Sequence, residues 1–193
     1  MLDPERPASS AGGFDSCTDD ELVGACLDGR RDAFDLIVTR HQKSVYQICF
    51  RFAGNHADAS DLSQETFLRA WRGLRSFRRQ AALGTWLHRI AVNASLNRVS
   101  SRPPAAENVD DLRLPDDRTE TPADGVIRGQ RAASVRRAIA ALPDRQRATV
   151  ILRVYHELPH HEIAAILGSS VGSVKANFFH ALRNLRRLLG EQP

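Results

Sequence analysis

The sequence predicts an all-α protein of two small helical domains joined by a flexible acidic linker. Three observations carry this reading. Apolar residues recur at three- and four-residue steps through most of the chain, the period of a helix with one buried face. No strand-like alternation of useful length occurs. A proline-rich acidic stretch separates two basic blocks: residues 19–102 carry 13 Lys/Arg against 9 Asp/Glu, residues 103–130 carry 3 against 7, and residues 131–193 carry 10 against 4. The expected organisation is a disordered leader over 1–18, a first domain over 19–102, the linker over 103–130 and a second domain over 131–193.

The first helix is expected near Thr18, where Thr18-Asp19-Asp20-Glu21 has the form of a capping box. Apolar steps through Phe34, Ile37, Val45, Ile48 and Phe50 place a second helix across roughly 32–53. Gly54-Asn55-His56 breaks it, and Asp58 or Ser60 can start the next, which runs through Trp71. A polar loop from Phe77 to Ala81 leads into a helix from Thr85 to about Ser100. Pro103, Pro104, Pro115 and Pro122 then interrupt any periodicity, which marks the linker. Helical spacing resumes at Val135, stops at Pro143-Asp144, and resumes at Ala148.

Composition excludes several classes of function. Hydrophobic residues at 42% and charged residues at 26% are ordinary for a globular protein. The apolar runs are far shorter than the roughly 20 residues that span a bilayer, and the first residues lack a signal architecture, so the expected location is cytoplasmic. Cys17, Cys26 and Cys49 have no C-x-x-C spacing, which reads as buried or idle thiols and not as a disulfide framework or zinc cage. His156, His160 and His161 cluster, but Pro159 breaks their register, so they read as surface or capping side chains. No Gly-rich phosphate loop or nucleophile–base pattern is visible, so the expectation is no enzyme activity, no catalytic residues, no metal and no cofactor. The basic blocks suit a polyanion partner, although solvated Arg-rich helix faces would give the same count.

The most specific local signal is a helix-turn-helix over His161–Lys175. Such a motif needs a small residue where its helices touch, a turn residue tolerant of positive φ, and an apolar residue facing inward. Ala164, Gly168 and Val174 stand at those offsets. Beyond the turn, Val171, Val174, Phe178, Ala181, Leu185 and Leu188 form one apolar stripe. Ser173, Lys175, Ala176, Asn177, Phe179 and His180 are left on the sides and outer face, placed to reach a major groove. A structural hairpin without DNA contact is the alternative reading of the same pattern.

Taken together, Asp58-x-x-Asp61-Leu62-x-Gln64-Glu65-x-Phe67-x-x-Ala70-Trp71, then Phe77, Thr85-Trp86-Leu87-x-x-Ile90-Ala91-x-Asn93, Leu142-Pro143 and the helix-turn-helix resemble an extracytoplasmic-function sigma factor. The resemblance runs from about residue 18 to 189. It implies sigma domain 2, which binds core RNA polymerase and reads and melts the −10 element, followed by helix-turn-helix sigma domain 4, which reads the −35 element. The implied partners are the clamp helices of the largest polymerase subunit, the flap of the second largest, promoter DNA and an anti-sigma factor.

Carried onto this chain, the resemblance makes Asp58, Asp61, Gln64 and Glu65 the polymerase-binding stripe, although a solvated acidic face has the same pattern. It makes Arg78, Arg79, Gln80, Arg89, Asn93 and Arg98 the −10 set, with Asn93 beside the extruded base. Trp86 fits core packing better than base stacking. Many relatives carry Gly followed by Glu or Asp where this chain has Arg79-Gln80, and Asp where it has Asn97. The −35 set is Ser173, Lys175, Ala176, Asn177, Phe179 and His180, with Arg153 approaching phosphates; Asn177 can read adenine. The acidic linker, with Asp110, Asp111, Asp116 and Asp117, is implied to thread the channel later taken by nascent RNA, with a solvated spacer as the alternative. An ordinary two-domain helix-turn-helix regulator acting without core polymerase is the rival function; it would need a sensor module, and residues 19–102 show no receiver-like pattern.

Overall fold

A computed structural model describes residues 16–100 and 122–190. Among the described residues there are helices and turns and no strand. The N-terminal half contains α1 (Asp19–Leu27), α2 (Arg31–Ala53), α3 (His56–Gly73) and α4 (Leu83–Ser100). The C-terminal half contains α5 (Pro122–Ala140), α6 (Asp144–Val150), α7 (His160–Leu167) and α8 (Val171–Leu188). The expected leader up to residue 15 and the expected linker over 103–121 lie outside the described residues.

Local chemistry explains the starts and stops. Thr18 caps α1: the Glu21 amide donates to its hydroxyl at 3.3 Å, and the Thr18 amide donates to the Glu21 carboxylate at 2.6 Å. That carboxyl lies below its ordinary range because the Thr18 backbone and hydroxyl both hydrogen-bond its charged form. Gly54 ends α2 in the left-handed region at φ 76°, where a glycine carries no steric cost. α3 starts earlier than expected, at His56, because Asn55 accepts from the Asp58 amide at 2.8 Å and so supplies the cap. α4 likewise begins at Leu83, ahead of Thr85. α5 begins at Pro122, inside the span expected to be linker; a proline at a first helical position loses no intrahelical bond.

α2, α3 and α4 pack on one another around Ile37, Val45, Ile48, Leu62 and Leu87, with α1 against α2. In the second half α6 and α7 pack on α8 around Ile151, Leu152, Ile163, Ile166 and Val174. Burying such side chains supplies on the order of 1.5–3 kcal/mol each. Arg147 is buried and donates to the Ala140 and Leu142 carbonyls, so it satisfies the end of α5 at the turn into α6. α6 continues as a π-helical turn over Ile151–Tyr155. α4 also contacts α7, and the buried apolar residues of both halves form one contiguous cluster.

Candidate nucleic-acid and polymerase interfaces

The helix-turn-helix forms as its small residues require. Gly168 caps α7 at φ 57° and ψ 46°, the left-handed conformation that makes the turn. Ser170 then caps α8, accepting from the Ser173 amide at 3.1 Å. Ala164 and Val174 are buried where the two helices meet. On α8, Ser173, Lys175, Ala176 and His180 are exposed, Asn177 is half-buried, and Phe179 is 64% exposed. The apolar stripe is shorter than expected: Val174 and Ala181 are buried, whereas Val171 and Leu188 at its ends are exposed. The helix outruns the core that could cover it. Arg153 is half-buried and donates to the Leu158 carbonyl at 3.1 Å, so it braces the loop before α7.

On α3, Asp61 and Gln64 are exposed and Glu65 is half-buried beside Arg69, to which it pairs at 2.5 Å. Asp58 departs from this stripe. It is buried, with Arg98 donating to it at 3.0 Å and the Asn55 amide at 2.7 Å. Leu68 and Trp71, 55% and 40% exposed, give the same helix an uncovered apolar component. Sequence reasoning missed their exposure, although Leu68 lies one heptad beyond Asp61 and therefore near the same face.

The residues expected at the −10 element divide into two groups. Arg89 and Asn93 are exposed one turn apart on α4, on a common face. Arg78, Gln80 and Arg89 line a cleft with Phe77 and Trp86. Trp86 is half-buried and packs on Phe77 with ring centroids 5.0 Å apart, a core contact at the floor of the loop. Arg79 and Arg98 point elsewhere. Arg79 sits at φ 55° and turns to α1, where it donates to the Asp20 carbonyl at 3.3 Å. Arg98 joins Asp58.

The thiols of Cys26 and Cys49 are buried and pushed up to about 11 by that burial, so they stay protonated near neutrality, while Cys17 is half-buried. His156 and His160 are half-buried, His160 at the first position of α7, and His161 is exposed. Among the described residues no group of three potential ligands could hold a metal ion.

A helix-turn-helix in one half and an acidic, part-apolar helix in the other form an arrangement suited to binding DNA and a second protein. Comparison with known proteins specifies the family. Sigma-70 region 2 matches residues 37–103 and Sigma-70, region 4 matches residues 132–185. The ECF RNA polymerase sigma factor SigM of Mycobacterium tuberculosis is 35% identical over 186 residues, covering 95% of this chain and 91% of SigM. RNA polymerase sigma-H factor of Pseudomonas aeruginosa is 32% identical over 182 residues, covering 89% of this chain and 93% of its own. The chain belongs to the extracytoplasmic-function branch of the sigma-70 family. It is an alternative sigma factor, which directs transcription initiation with core RNA polymerase. The fold agrees: CnrH, solved in complex with the cytosolic domain of CnrY, superposes with a TM-score of 0.65 at 24% identity, covering 91% of this chain and 99% of CnrH. Among the described residues no helix is long and apolar enough to cross a membrane.

Proposed function

We propose that this sigma factor divides its work among three helix faces. The exposed part of α3, with Asp61, Gln64, Glu65 and the apolar Leu68 and Trp71, docks on the clamp helices of the largest polymerase subunit. Acidic groups beside an apolar patch suit a basic amphipathic partner, because charge sets the approach and burial holds the contact. Asp58 supports this face from beneath and does not touch the polymerase. Arg89 and Asn93 on α4, with Arg78 and Gln80 across the cleft, read and hold the −10 strand. Arg79 and Arg98 position the loop and the helix end.

The −35 element falls to α8, and one observation carries the assignment: the face opposite buried Val174 and Ala181 presents Ser173, Lys175, Ala176, Phe179 and His180, with Asn177 at its edge. Asn177 has the donor–acceptor pair that matches adenine in the major groove. Arg153 acts on phosphates only if it leaves the Leu158 carbonyl. The protein works in the cytoplasm, contributes no catalytic group of its own, and is held by an anti-sigma factor; support for that partner comes from RpoE of Bartonella quintana, solved with the anti-sigma factor NepR and similar in fold at a TM-score of 0.58. Run-off transcription with reconstituted holoenzyme tests the assignment. Asn177→Ala is expected to lower output from a matched −35 element and to leave a scrambled one unaffected; equal losses on both would remove Asn177 from the base readers.

A further inference from the structure

The two halves meet along a seam that brings together His88 and His156, neither of which has a part in the three faces above. His88 of α4 and His156, just after the π-helical turn, face each other with ring centroids 6.4 Å apart. His88 Nε2 lies 3.3 Å from the Ser44 hydroxyl on α2, a partner that a neutral imidazole satisfies in either role. His156 Nε2 is buried and has no hydrogen-bond partner among the described residues. On the same seam the Arg51 guanidinium sits over the Tyr155 ring, 4.0 Å from its centroid. Gly168, the turn of the helix-turn-helix, lies close to the Arg89 guanidinium, and Ala165 closes one side of the cleft that Arg89 lines.

The charges facing this pair are mostly cationic or potentially so. α2 contributes Arg51 and His41, α3 contributes His56, which lines one cavity with Arg51, Tyr155 and His156, and the exposed Arg89 follows His88 on α4. The carboxylate of Asp19 on α1 is already taken by Arg40 and His41, at 2.6 and 3.0 Å. Glu157, following His156, is exposed to solvent, and Glu162 lies in the first turn of α7. A proton added to His88 therefore meets burial and the imidazoles of His156 and His41, and one added to His156 meets burial and the Arg51 guanidinium.

We propose that the seam is a proton-operated latch: neutral His88 and His156 let the two halves close on each other, and protonation of the pair drives them apart. Burial, His156 and His41 together push the His88 imidazole down to about 4, and burial and Arg51 push His156 down as well. A depressed histidine stabilises the closed form fully above the ordinary value of roughly 6.5, and that contribution is lost as pH falls from there toward the closed-state value. If α4 is the promoter-facing helix, as read above, opening also frees Arg89 from the helix-turn-helix.

Small-angle scattering from the full chain at fixed ionic strength, from pH 8 down to pH 4.5, tests closure without reference to DNA, so its failure and that of the promoter-reading assignment are separable. The expected result is a compact particle at pH 8 whose radius of gyration rises on acidification below about 6.5, with the far-UV helical signal retained. A double variant, His88→Gln with His156→Gln, should stay compact through the series, and His161→Gln, at an exposed position of α7 away from the pair, should expand as the wild type does. A particle already extended at pH 8, a size independent of pH, or expansion of the double variant at the wild-type midpoint would each overturn the latch. If the double variant does not close at pH 8, the wild-type imidazole resonances decide: His88 and His156 must titrate in step with the expansion, and titration out of step rejects the proposal.

Discussion

The Arg98 guanidinium donates to the Asp58 carboxylate at 3.0 Å, joining the end of α4 to the start of α3 across 40 residues of sequence. Asp58 is buried and also holds the amide of Asn55, so one carboxylate anchors a helix cap and an interhelical contact. Asp58→Ala leaves two donors without their acceptor. The expected loss of stability is about 1–2 kcal/mol, at the modest end because the Arg98 side chain is partly in water. Urea unfolding of the full chain measures it, and a midpoint equal to that of the wild type would show that solvent replaces both bonds.

Reversing charge on the outer face of the same helix should act on binding and spare the fold. If α3 docks on a basic clamp surface as proposed, Asp61→Lys with Glu65→Lys sets like charges against each other, while surface helix positions usually shift stability by less than about 0.5 kcal/mol and the exposed Glu65–Arg69 pair adds little. Core polymerase should no longer be retained by the tagged double variant, with its circular dichroism unchanged. Wild-type retention by the folded variant would discard this docking face.

Asn93 is exposed on α4 one turn beyond Arg89, and its amide offers a base both a donor and an acceptor. Asn93→Ala should impair strand opening more than recruitment. Permanganate footprinting of the −10 region should show weaker reactivity at equal promoter occupancy; undiminished reactivity would take Asn93 out of the melting site.

Arg79 occupies the left-handed region at φ 55°, a conformation that glycine adopts without steric cost. A non-glycine residue there costs about 1–2 kcal/mol, against which the contacts to Asp20 are long and solvent-exposed. Arg79→Gly should therefore raise the thermal midpoint modestly, by the equivalent of about 0.5–1 kcal/mol after the extra chain entropy of glycine is counted. A lowered midpoint would mean that the tie from the loop to α1 outweighs the backbone strain.

Features fixed by neighbours in the chain were legible in the sequence. The Thr18 capping box, the left-handed Gly168 turn and the helical period that buries Val174 and Ala181 depend on residues within a turn or two of each other, and such rules are local. The outward face of α8 follows from the same periodicity, and the two basic halves follow from composition. Helix starts were displaced where a cap was a weaker sequence signal, as with Asn55 before α3.

Tertiary structure decided which members of an apparent set work together. Asp58, Asp61 and Glu65 share helical spacing, yet only Asp58 meets a cation from 40 residues away and is drawn inward. Arg79 is pulled to α1 and Arg153 to its own loop, and the pairing of His88 with His156 exists only because the two halves close on one another. A side chain's periodic position states which face of a helix it occupies; whether that face meets water, a charge or another histidine depends on packing between elements distant in sequence, and that packing sets the protonation and reach of each group.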